Sequence, residues 1–179
     1  MTNKENAIKI ISEFLASNET GLLITGTHQL KKHIAAMYVI NEFYKNKRIL
    51  FRTNGMDMVE NHLKTFVKKT PKAGVPIRIH NNIYEFDAFT SRVTWHKSSH
   101  RFSVVIVYPI DAIARGGVSM ECIEDLFEYK DFDKIIFVSW TDNLVNDYSK
   151  FDKYLDRKCV YDADDLEYHA RVWNSIHKK

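Results

Sequence analysis

The sequence predicts an α/β protein, in which a mostly parallel β-sheet of about five strands carries helices on both faces. Short, unbroken apolar runs alternate along the chain with longer segments whose apolar residues recur every three or four positions. This alternation is typical of strand–helix–strand units, whose parallel strands are covered by helices. The chain has 179 residues, of which 45% are hydrophobic, and this is enough for a core of its own. We therefore treat residues 1–179 as a single domain.

The first quarter of the chain contains two helices and two strands in turn. A helix is predicted for ENAIKIISEFLAS (5–17), and the strand GLLIT (21–25) follows it. A second helix is predicted from about Lys32 to Lys45, and the strand RILFRT (48–53) comes next. Apolar residues at helical spacing favour the helices, whereas unbroken apolar runs indicate strands that are buried on both faces.

The middle of the chain predicts a third helix and an irregular region. GMDMVENHLKTFVKK (55–69) has apolar residues at helical spacing, so a helix is predicted there. VPIRIHNNIYEFDAF (75–89) alternates around Asn81 and Asn82, as a hairpin or an irregular excursion would. VTWHKSSHRF (93–102) is rich in serine and is predicted to be a loop.

The second half repeats the strand-then-helix rhythm. It predicts three further strands and two further helices, and Asp164 is the predicted N-cap of the last helix. In chain order these segments are FSVVIVYPI (102–110), SMECIEDLFEY (119–129), KIIFVSW (134–140), KCVYD (158–162) and DDLEYHARVWNSI (164–176).

Composition narrows the class of protein. No apolar run approaches the roughly 20 residues that a membrane span needs, so no membrane partner is expected. Cys122 and Cys159 lack metal-ligand spacing, which favours a reducing, cytoplasmic setting. A net charge of +3 is too small to establish a nucleic-acid partner and leaves that partner open.

The segment GTHQLKKH (26–33) lies between the first predicted strand and the second predicted helix. A phosphate-binding loop at such a junction has Gly, four residues, Gly-Lys and then Ser or Thr. Gly26 and Lys32 are in register with this pattern, but Lys31 replaces the second glycine and His33 replaces the hydroxyl. Histidine is a poor ligand for Mg²⁺, which prefers oxygen. The alternative interpretation is a polar turn that leads into a basic first turn of helix.

The stretch GLLITGTHQLKKHIAAMYVINEFYKNKRILFRT (21–53) resembles the same region of AAA+ ATPases, in particular bacterial helicase loaders and transposon ATP-binding proteins. In this family an apolar strand, a phosphate loop and a helix lead to a second strand. A later strand of the family ends in an Asp-Glu pair, often as DEIDAL, and VVIVYPIDAI (104–113) resembles that motif. Tyr108 and Pro109 stand where the two carboxylates would be.

The resemblance extends over roughly residues 8–176 in order of elements, and it implies a P-loop-type sheet with ATP and Mg²⁺ as the cofactors. The family's C-terminal helical lid is absent from the pattern. Without the Asp-Glu pair, Mg²⁺ loses a ligand and the attacking water loses its base. The resemblance also implies Thr141 and Asn143 as phosphate sensors and Arg157 as an arginine finger, although a turn and a surface arginine account for them equally. The candidate nucleotide-binding residues are Gly26, Thr27, His28, Lys31, Lys32, His33, Asp111 and Asn143.

The sequence contains two other patterns that bear on possible sites. PID (109–111) and EYK (128–130) echo the Pro-Asp and Glu-x-Lys pattern of Mg²⁺-dependent nucleases, but EYK ends a predicted helix instead of lying on a strand. His96 and His100 are four residues apart, but they lie in a predicted loop without a third ligand nearby, so no metal site is predicted.

Basic residues cluster in two segments, and an aromatic residue lies among them. Basic side chains interleaved with an aromatic ring suit contacts with phosphates and stacking on bases, whereas the alternative is a solvated charged face. Acidic segments such as YDADDLE (161–167) would equally suit a protein partner of opposite charge or a homo-oligomer. The candidate nucleic-acid-binding residues are Lys64, Lys68, Lys69, Lys72, Arg78, Arg92, Trp95, Lys97 and Arg101.

Together these observations lead to one hypothesis and two alternatives. The hypothesis is a noncatalytic AAA+-like module that binds DNA or a protein partner in replication, mobile-element or phage-defence processes. The first alternative is a slow ATPase that uses Lys32 and Asp111, and the second is a Mg²⁺-dependent nuclease. The hypothesis requires that 22–25 is a central strand leading to the Lys32 helix, and that Tyr108 lies close to the intervening turn.

Overall fold

A computed structural model describes residues 1–177 and contains a seven-stranded sheet. The strand order is β3-β4-β2-β5-β6-β1-β7, and every pairing is parallel except the antiparallel pairing of β3 with β4. The strands are β1 (Gly21–Thr25), β2 (Arg48–Thr53), β3 (Ile77–Ile79), β4 (Asn82–Ala88), β5 (Arg101–Tyr108), β6 (Asp131–Val138) and β7 (Arg157–Val160).

Helices flank the sheet, and two of the connections contain 3₁₀ helices. The 3₁₀ helices are Met56–Met58 and Tyr148–Tyr154. The α-helices are α1 (Asn3–Ala16), α2 (Lys32–Phe43), α3 (Val59–His62), α4 (Arg92–Trp95), α5 (Asp111–Ala114), α6 (Glu121–Tyr129) and α7 (Leu166–His177).

Two apolar cores cover the two faces of the sheet, as the α/β prediction requires. Side chains alternate between the faces of a strand, so Leu22 and Ile24 of β1 belong to one core and Leu23 to the other. The first core also contains buried residues of α1 and α2, and the second contains those of α6. The predicted fold class is therefore confirmed, with helices packed on both faces.

The predicted number of strands was too low. The two additional strands are β3 and β4, which form the hairpin that the alternation around Asn81 had left open. His80 adopts a positive φ of 49° in the connecting turn. All but one of the residues of β4 are buried, because β4 pairs in parallel with β2 and thus extends the main sheet. A hairpin was one of the two alternatives for this segment, and its membership of the parallel sheet was not predicted.

The third predicted helix does not form as a continuous element. Residues 55–69 contain the first 3₁₀ helix, the four-residue α3 and a series of turns. Val59, Leu63 and Val67 are buried at helical spacing, which is the pattern that suggested a helix. Short helices are marginal without extensive packing, and the Asn, His, Thr and Val of this stretch are weak helix formers.

Asp164 does not cap the last helix. Its carboxylate accepts hydrogen bonds from the main-chain N–H groups of Asn3 (2.7 Å) and Lys4 (3.3 Å), in the first turn of α1. Asp165 binds the N–H of Tyr168 at 2.7 Å instead, as an N-cap does. The two aspartates are adjacent, and the sequence pattern alone could not tell which of them faces α7.

The carboxyl ends of β1, β5 and β6 lie side by side, because β6 pairs with both of the other strands. In open α/β sheets, ligands bind at this edge where the connections diverge. The loop after β1 therefore faces the ends of β5 and β6. β1 is an internal strand that leads to α2, as the hypothesis required.

Candidate anion-binding site

The loop between β1 and α2 comprises residues 26–31 and begins with a glycine in an unusual conformation. Gly26 has φ +118°, and a Cβ atom there would lie 2.4 Å from the carbonyl oxygen of Tyr161. Only glycine suits both the backbone angle and this close approach. The loop leads into α2, whose N-terminus has no side-chain cap. The first N–H groups of a helix attract anions.

Lys32 points back into this loop and is fully buried. Its ammonium group donates hydrogen bonds to the carbonyl oxygens of Gly26 and Trp140, the latter at 3.1 Å. The carboxylate of Asp142 lies 4.0 Å away. Burial lowers the pKa of Lys32, and the negative charges of nearby aspartates, Asp142 first, oppose this effect.

Two aspartates bind the N–H groups of the loop. Asp142 accepts one hydrogen bond from the N–H of Gly26 and a second one from the hydroxyl of Ser139. Asp162 accepts a hydrogen bond of 2.8 Å from the N–H of Thr27. Carboxylates of the chain therefore lie where a loop of this type would hold phosphate oxygens.

Sequence reasoning did not single out Asp142 or Asp162, although a signal was present. Asp142 follows β6 and Asp162 follows β7, and these two strands flank β1. An acidic residue just beyond a neighbouring parallel strand reaches the same edge as the loop.

Tyr108 lies close to the loop, as the hypothesis required. Its ring stacks on that of His33, with a centroid distance of 3.9 Å, and both side chains are buried. Burial raises the pKa of Tyr108, so its hydroxyl stays protonated near neutral pH. Tyr108, which stands where the resembling family has a carboxylate, is therefore neutral and stacks on His33, which stands where that family has a hydroxyl.

His33 is held in its neutral form. Burial lowers its pKa from 6.5 to about 3, and its Nε2 atom lies 2.8 Å from the carbonyl oxygen of His62. Nε2 therefore carries the proton and donates this hydrogen bond. A neutral imidazole inside the first turn of α2 adds no positive charge to that of Lys32.

The depressed pKa of His33 leads to a testable pH dependence. The folded state binds fewer protons at His33 than the unfolded state does. The contribution of neutral His33 to the free energy of unfolding is therefore complete above pH 6.5 and is lost as the pH falls towards about 3. Each pH unit within that window reduces the free energy of unfolding by up to about 1.4 kcal/mol. In urea titrations between pH 7 and 4, the free energy of unfolding of His33→Phe should fall less steeply with pH than that of the wild type. The exposed His96→Phe is the control, and equal slopes for all three proteins would contradict the prediction.

Asp111 acts as a cap on the loop after β6. Its carboxylate accepts hydrogen bonds from the N–H groups of Trp140 (2.6 Å) and Thr141 (2.8 Å) and from the side-chain amide of Asn146 (3.2 Å). Burial raises its pKa, and the backbone hydrogen bonds oppose this effect. Asp111 is therefore committed to main-chain contacts close to Lys32.

The remaining candidates of the nucleotide site lie around the loop. Thr141 accepts a hydrogen bond of 2.7 Å from the side chain of Gln29, whereas the nearby Asn143 is exposed and accepts a hydrogen bond from the N–H of Val145. Arg157 forms ion pairs with Glu13 and Glu19. These contacts agree with the structural alternatives for Asn143 and Arg157, and they place Thr141 against the loop.

A cavity of about 440 Å³ lies between α1 and α2 and adjoins the loop that follows β1. Its lining includes His28, Lys31, Tyr38 and Tyr161. Burial lowers the pKa of His28, and the charges of Lys31 and Lys32 lower it further. The cavity thus combines an apolar lining with the exposed ammonium group of Lys31.

The residues of the nuclease alternative do not come together. Asp111 follows the carboxyl end of β5, whereas Lys130 precedes the amino end of the parallel β6. The length of these strands separates the two residues by roughly 20 Å, at about 3.3 Å per residue. Lys130 also donates hydrogen bonds to the carbonyl oxygens of Trp95, Ser98 and Ser99. The geometry therefore provides no shared metal site for this pattern.

The candidate nucleic-acid-binding residues divide into two groups. Arg92 forms an ion pair with Glu121, and Arg101 forms ion pairs with Asp131 and Asp133. Arg78 donates a hydrogen bond to the side chain of Asn46. The lysines of the set are exposed and form no ion pair within residues 1–177: Lys64, Lys68, Lys69, Lys72 and Lys97.

Trp95 is buried, contrary to the exposed position that base stacking needs. Its indole N–H donates to the carbonyl oxygen of Ala88 at 2.8 Å, and the guanidinium of Arg52 lies over its ring at 5.1 Å from the centroid. The ring is large and apolar, and α4, which packs on β4, places it in the second apolar core. Trp95 therefore belongs to the protein interior, and the lysines are exposed members of the set that form no ion pair within residues 1–177.

Within residues 1–177, no group of three or more His, Cys, Asp or Glu side chains is arranged to hold a metal ion. In the same range, no helix combines the length and apolar character that a membrane crossing requires. Cys122 and Cys159 are both buried free thiols.

Comparison with known proteins gives similarity at the level of structure. No protein-family model matches the chain, and no curated protein matches its sequence. The large terminase of a thermophilic bacteriophage, in complex with ADP, superposes with a TM-score of 0.58 at 10% identity, covering 100% of this chain and 51% of that one. The same terminase in another structure gives 0.60 at 8% identity, covering 98% and 50%. Its complex with ATP-gamma-S gives 0.56 at 8% identity, covering 98% and 49%.

The chain thus spans about half the length of these terminases. At such low identity the likeness concerns the fold, and it does not single out helicase loaders or transposon proteins. The chain has an α/β fold similar to that of these terminases, built on a seven-stranded, mostly parallel sheet.

Proposed function

We propose that this chain is a noncatalytic P-loop-like module that acts by binding a macromolecule. The observation that carries the proposal is that the hydrogen-bond donors of the loop after β1 are already occupied. The ammonium group of Lys32 and the N–H groups of Gly26 and Thr27 all donate hydrogen bonds to carbonyl or carboxylate oxygens of the chain itself. At the end of β5, Tyr108 and Pro109 supply no carboxylate for Mg²⁺ or for activation of water.

The proposal predicts that ATP is not hydrolysed at this loop. Purified protein with Mg²⁺ and ATP should release phosphate no faster than a Lys32→Ala variant, because neither protein has a catalytic carboxylate next to the loop. Phosphate release that is lost in Lys32→Ala, in a protein whose circular dichroism is unchanged, would contradict the proposal and support the slow-ATPase alternative. Release that persists equally in both proteins would indicate a contaminating enzyme.

Nucleotide binding without hydrolysis is the second candidate. The bacteriophage terminase has been crystallised with ADP and with ATP-gamma-S, and the cavity beside Lys31 has room for a ligand. A ligand that binds only the folded state raises the melting temperature. A Mg²⁺-dependent rise at millimolar ATP would favour this candidate, and the absence of any rise would remove it.

We favour DNA as the macromolecular partner, through five lysines: Lys64, Lys68, Lys69, Lys72 and Lys97. Four of them lie on the segment 63–75, and Gly74 of that segment would bring a Cβ atom within 2.0 Å of the carbonyl oxygen of Lys97. The segment therefore packs against the main chain that carries the fifth lysine. Exposed lysines without acidic partners suit contacts with phosphates, and a partner protein with an acidic surface is the alternative.

The biological setting that fits these features is the handling of DNA by phages or other mobile elements. The likeness to a bacteriophage protein supports this setting over general replication. The support comes from the fold and from the lysines, and both would also suit a role in defence against phage.

A further inference from the structure

The loop between β1 and α2 has the donors of a phosphate site, but an anion of the chain itself occupies it. The N–H of Gly26 and the hydroxyl of Ser139 both donate hydrogen bonds to the carboxylate of Asp142, and the hydroxyl of Tyr148 lies 3.4 Å from it. The ammonium group of Lys32 is 4.0 Å away. A main-chain N–H and a nearby buried lysine are also the groups that surround the oxygen atoms of a bound phosphate.

Asp142 belongs to a segment that is attached mainly by polar contacts. We define residues 139–147 as the plug segment; it connects β6 with the second 3₁₀ helix and contains neither helix nor strand. Its apolar side chains Trp140, Leu144 and Val145 are 48%, 65% and 66% exposed, and the last two lie in its outer part. Moving the outer part of this segment would therefore uncover little of the apolar core, and the main cost would be hydrogen bonds that a ligand could replace.

The neighbouring loop contains unsatisfied polar atoms. The Nδ1 atoms of His28 and His33 are buried and have no hydrogen-bond partner among the described residues. Buried polar atoms are nearly always paired in folded proteins. In addition, α2 has twelve residues and begins without a side-chain cap. Nδ1 of His33 carries no proton, since Nε2 donates to His62, and it therefore cannot donate to an anion. Nδ1 of His28 and the uncapped first turn of α2 are the two features, independent of Asp142, that indicate that the loop can take a further hydrogen-bonding ligand.

We propose that Asp142 holds the place of a phosphate group in a latent polyphosphate site, and that the plug segment must move before a ligand with linked phosphates can bind. The donors of the site are the N–H of Gly26 and the ammonium of Lys32. Asp142 excludes the ligand in two ways. It accepts the hydrogen bond of the Gly26 N–H, and its negative charge, 4.0 Å from the Lys32 ammonium, would repel a second anion at the same place. This inference rests on the proposed function, in which the loop does not catalyse hydrolysis.

The charge of Lys32 explains why the site would refill with an anion once Asp142 is removed. Lys32 is fully buried, and an isolated buried cation is unfavourable. Asp142 is the closest of the carboxylates that act on it, and Asp111 and Asp162 act from further positions. A polyphosphate would restore the lost negative charge and would also accept the hydrogen bond of Gly26.

The test is isothermal titration calorimetry with inorganic tripolyphosphate, which has no base or sugar. Asp142→Ala should bind it at least roughly tenfold more tightly than the wild type, since one charge-assisted hydrogen bond of the competitor is lost. Asp147→Ala is the matched control, because it removes an exposed aspartate from the same segment that binds only Ser149. It should bind like the wild type. The double variant Lys32→Met with Asp142→Ala should lose the gain, which would place the ligand at the loop.

No gain in Asp142→Ala over Asp147→Ala, with circular dichroism like that of the wild type, would overturn the proposal. If Asp142→Ala does not fold, Tyr148→Phe provides the test, because it removes one donor to Asp142 and leaves the charge of Lys32 compensated. It should tighten tripolyphosphate binding by a smaller factor, and unchanged affinity would then overturn the proposal. Hydrolysis assays keep the two proposals apart. A variant that binds and also hydrolyses ATP would contradict only the noncatalytic function, whereas a folded variant that neither binds nor hydrolyses would contradict only the latent site.

Discussion

Replacement of Arg52 by methionine is expected to lower the free energy of unfolding by about 3–5 kcal/mol. Arg52 is fully buried, and its guanidinium donates two hydrogen bonds of 2.8 Å to Asp87 and one of 2.8 Å to Asp125. Methionine has a similar length but no charge, so the two carboxylates would remain buried without their partner. Breaking a buried ion pair from one side has this large cost because the remaining charge is not compensated.

The position of Arg52 explains why the effect should extend over the whole sheet. Arg52 of β2 and Asp87 of β4 are direct neighbours across the two strands, and Asp125 lies on α6. A further hydrogen bond of 2.7 Å joins the guanidinium to the carbonyl oxygen of Cys122. One side chain therefore connects two strands with the helix that covers them.

Urea denaturation of purified variants measures this effect, and Arg101→Met is the matched control. Arg101 also forms ion pairs with two aspartates, but its side chain is 53% exposed. Exposed ion pairs contribute little to stability, so the control should lose less than about 1 kcal/mol. If the free energy of unfolding falls no more in Arg52→Met than in Arg101→Met, the buried network is not needed for stability.

The second large effect concerns DNA binding by the exposed lysines. Replacing Lys64, Lys68, Lys69 and Lys72 by glutamine should weaken the binding of duplex DNA by at least about tenfold at low salt. Each phosphate contact contributes about 0.9 to the slope of the logarithm of affinity against the logarithm of salt concentration. The variant should therefore have a slope that is shallower by about 3 to 4. Fluorescence anisotropy at several salt concentrations measures both quantities.

A second quadruple variant separates a local site from a general effect of charge. Replacing Lys4, Lys9, Lys153 and Lys158 by glutamine changes the net charge equally but leaves the segment 63–75 intact. This control should retain the affinity and the salt dependence of the wild type. Equal losses in both variants would show that DNA responds only to net charge, and absence of binding in the wild type would favour a protein partner.

Much of the fold could be predicted, because the relevant signals are local. The runs GLLIT (21–25) and RILFRT (48–53) match β1 and β2, since an unbroken apolar run suits a strand buried on both faces. The segment 55–69 was wrongly predicted to be one continuous helix, because that prediction also relied on a local signal. Its apolar residues have helical spacing, and the spacing indicates which residues are buried without requiring that the helix be continuous.

The candidate site could be predicted only in part. The loop residues Gly26 and Lys32 follow a pattern within one short segment, and the structure places them together. The bond between Gly26 and Asp142 joins residues 116 positions apart, and only the strand order brings them together. The burial of Trp95 could not be predicted either, because whether its ring lies inside or outside depends on how α4 packs on β4.

The two outermost strands of the sheet have a consequence for self-association. β3 has three residues and β7 has four, and Pro76 directly precedes β3. Exposed cationic side chains occupy both strands, Arg78 on β3 and Lys158 on β7. Short, charged borders discourage edge-to-edge pairing of sheets, which is a common route to fibrous aggregates. We therefore expect that copies of this chain do not associate by extending their sheets into one another.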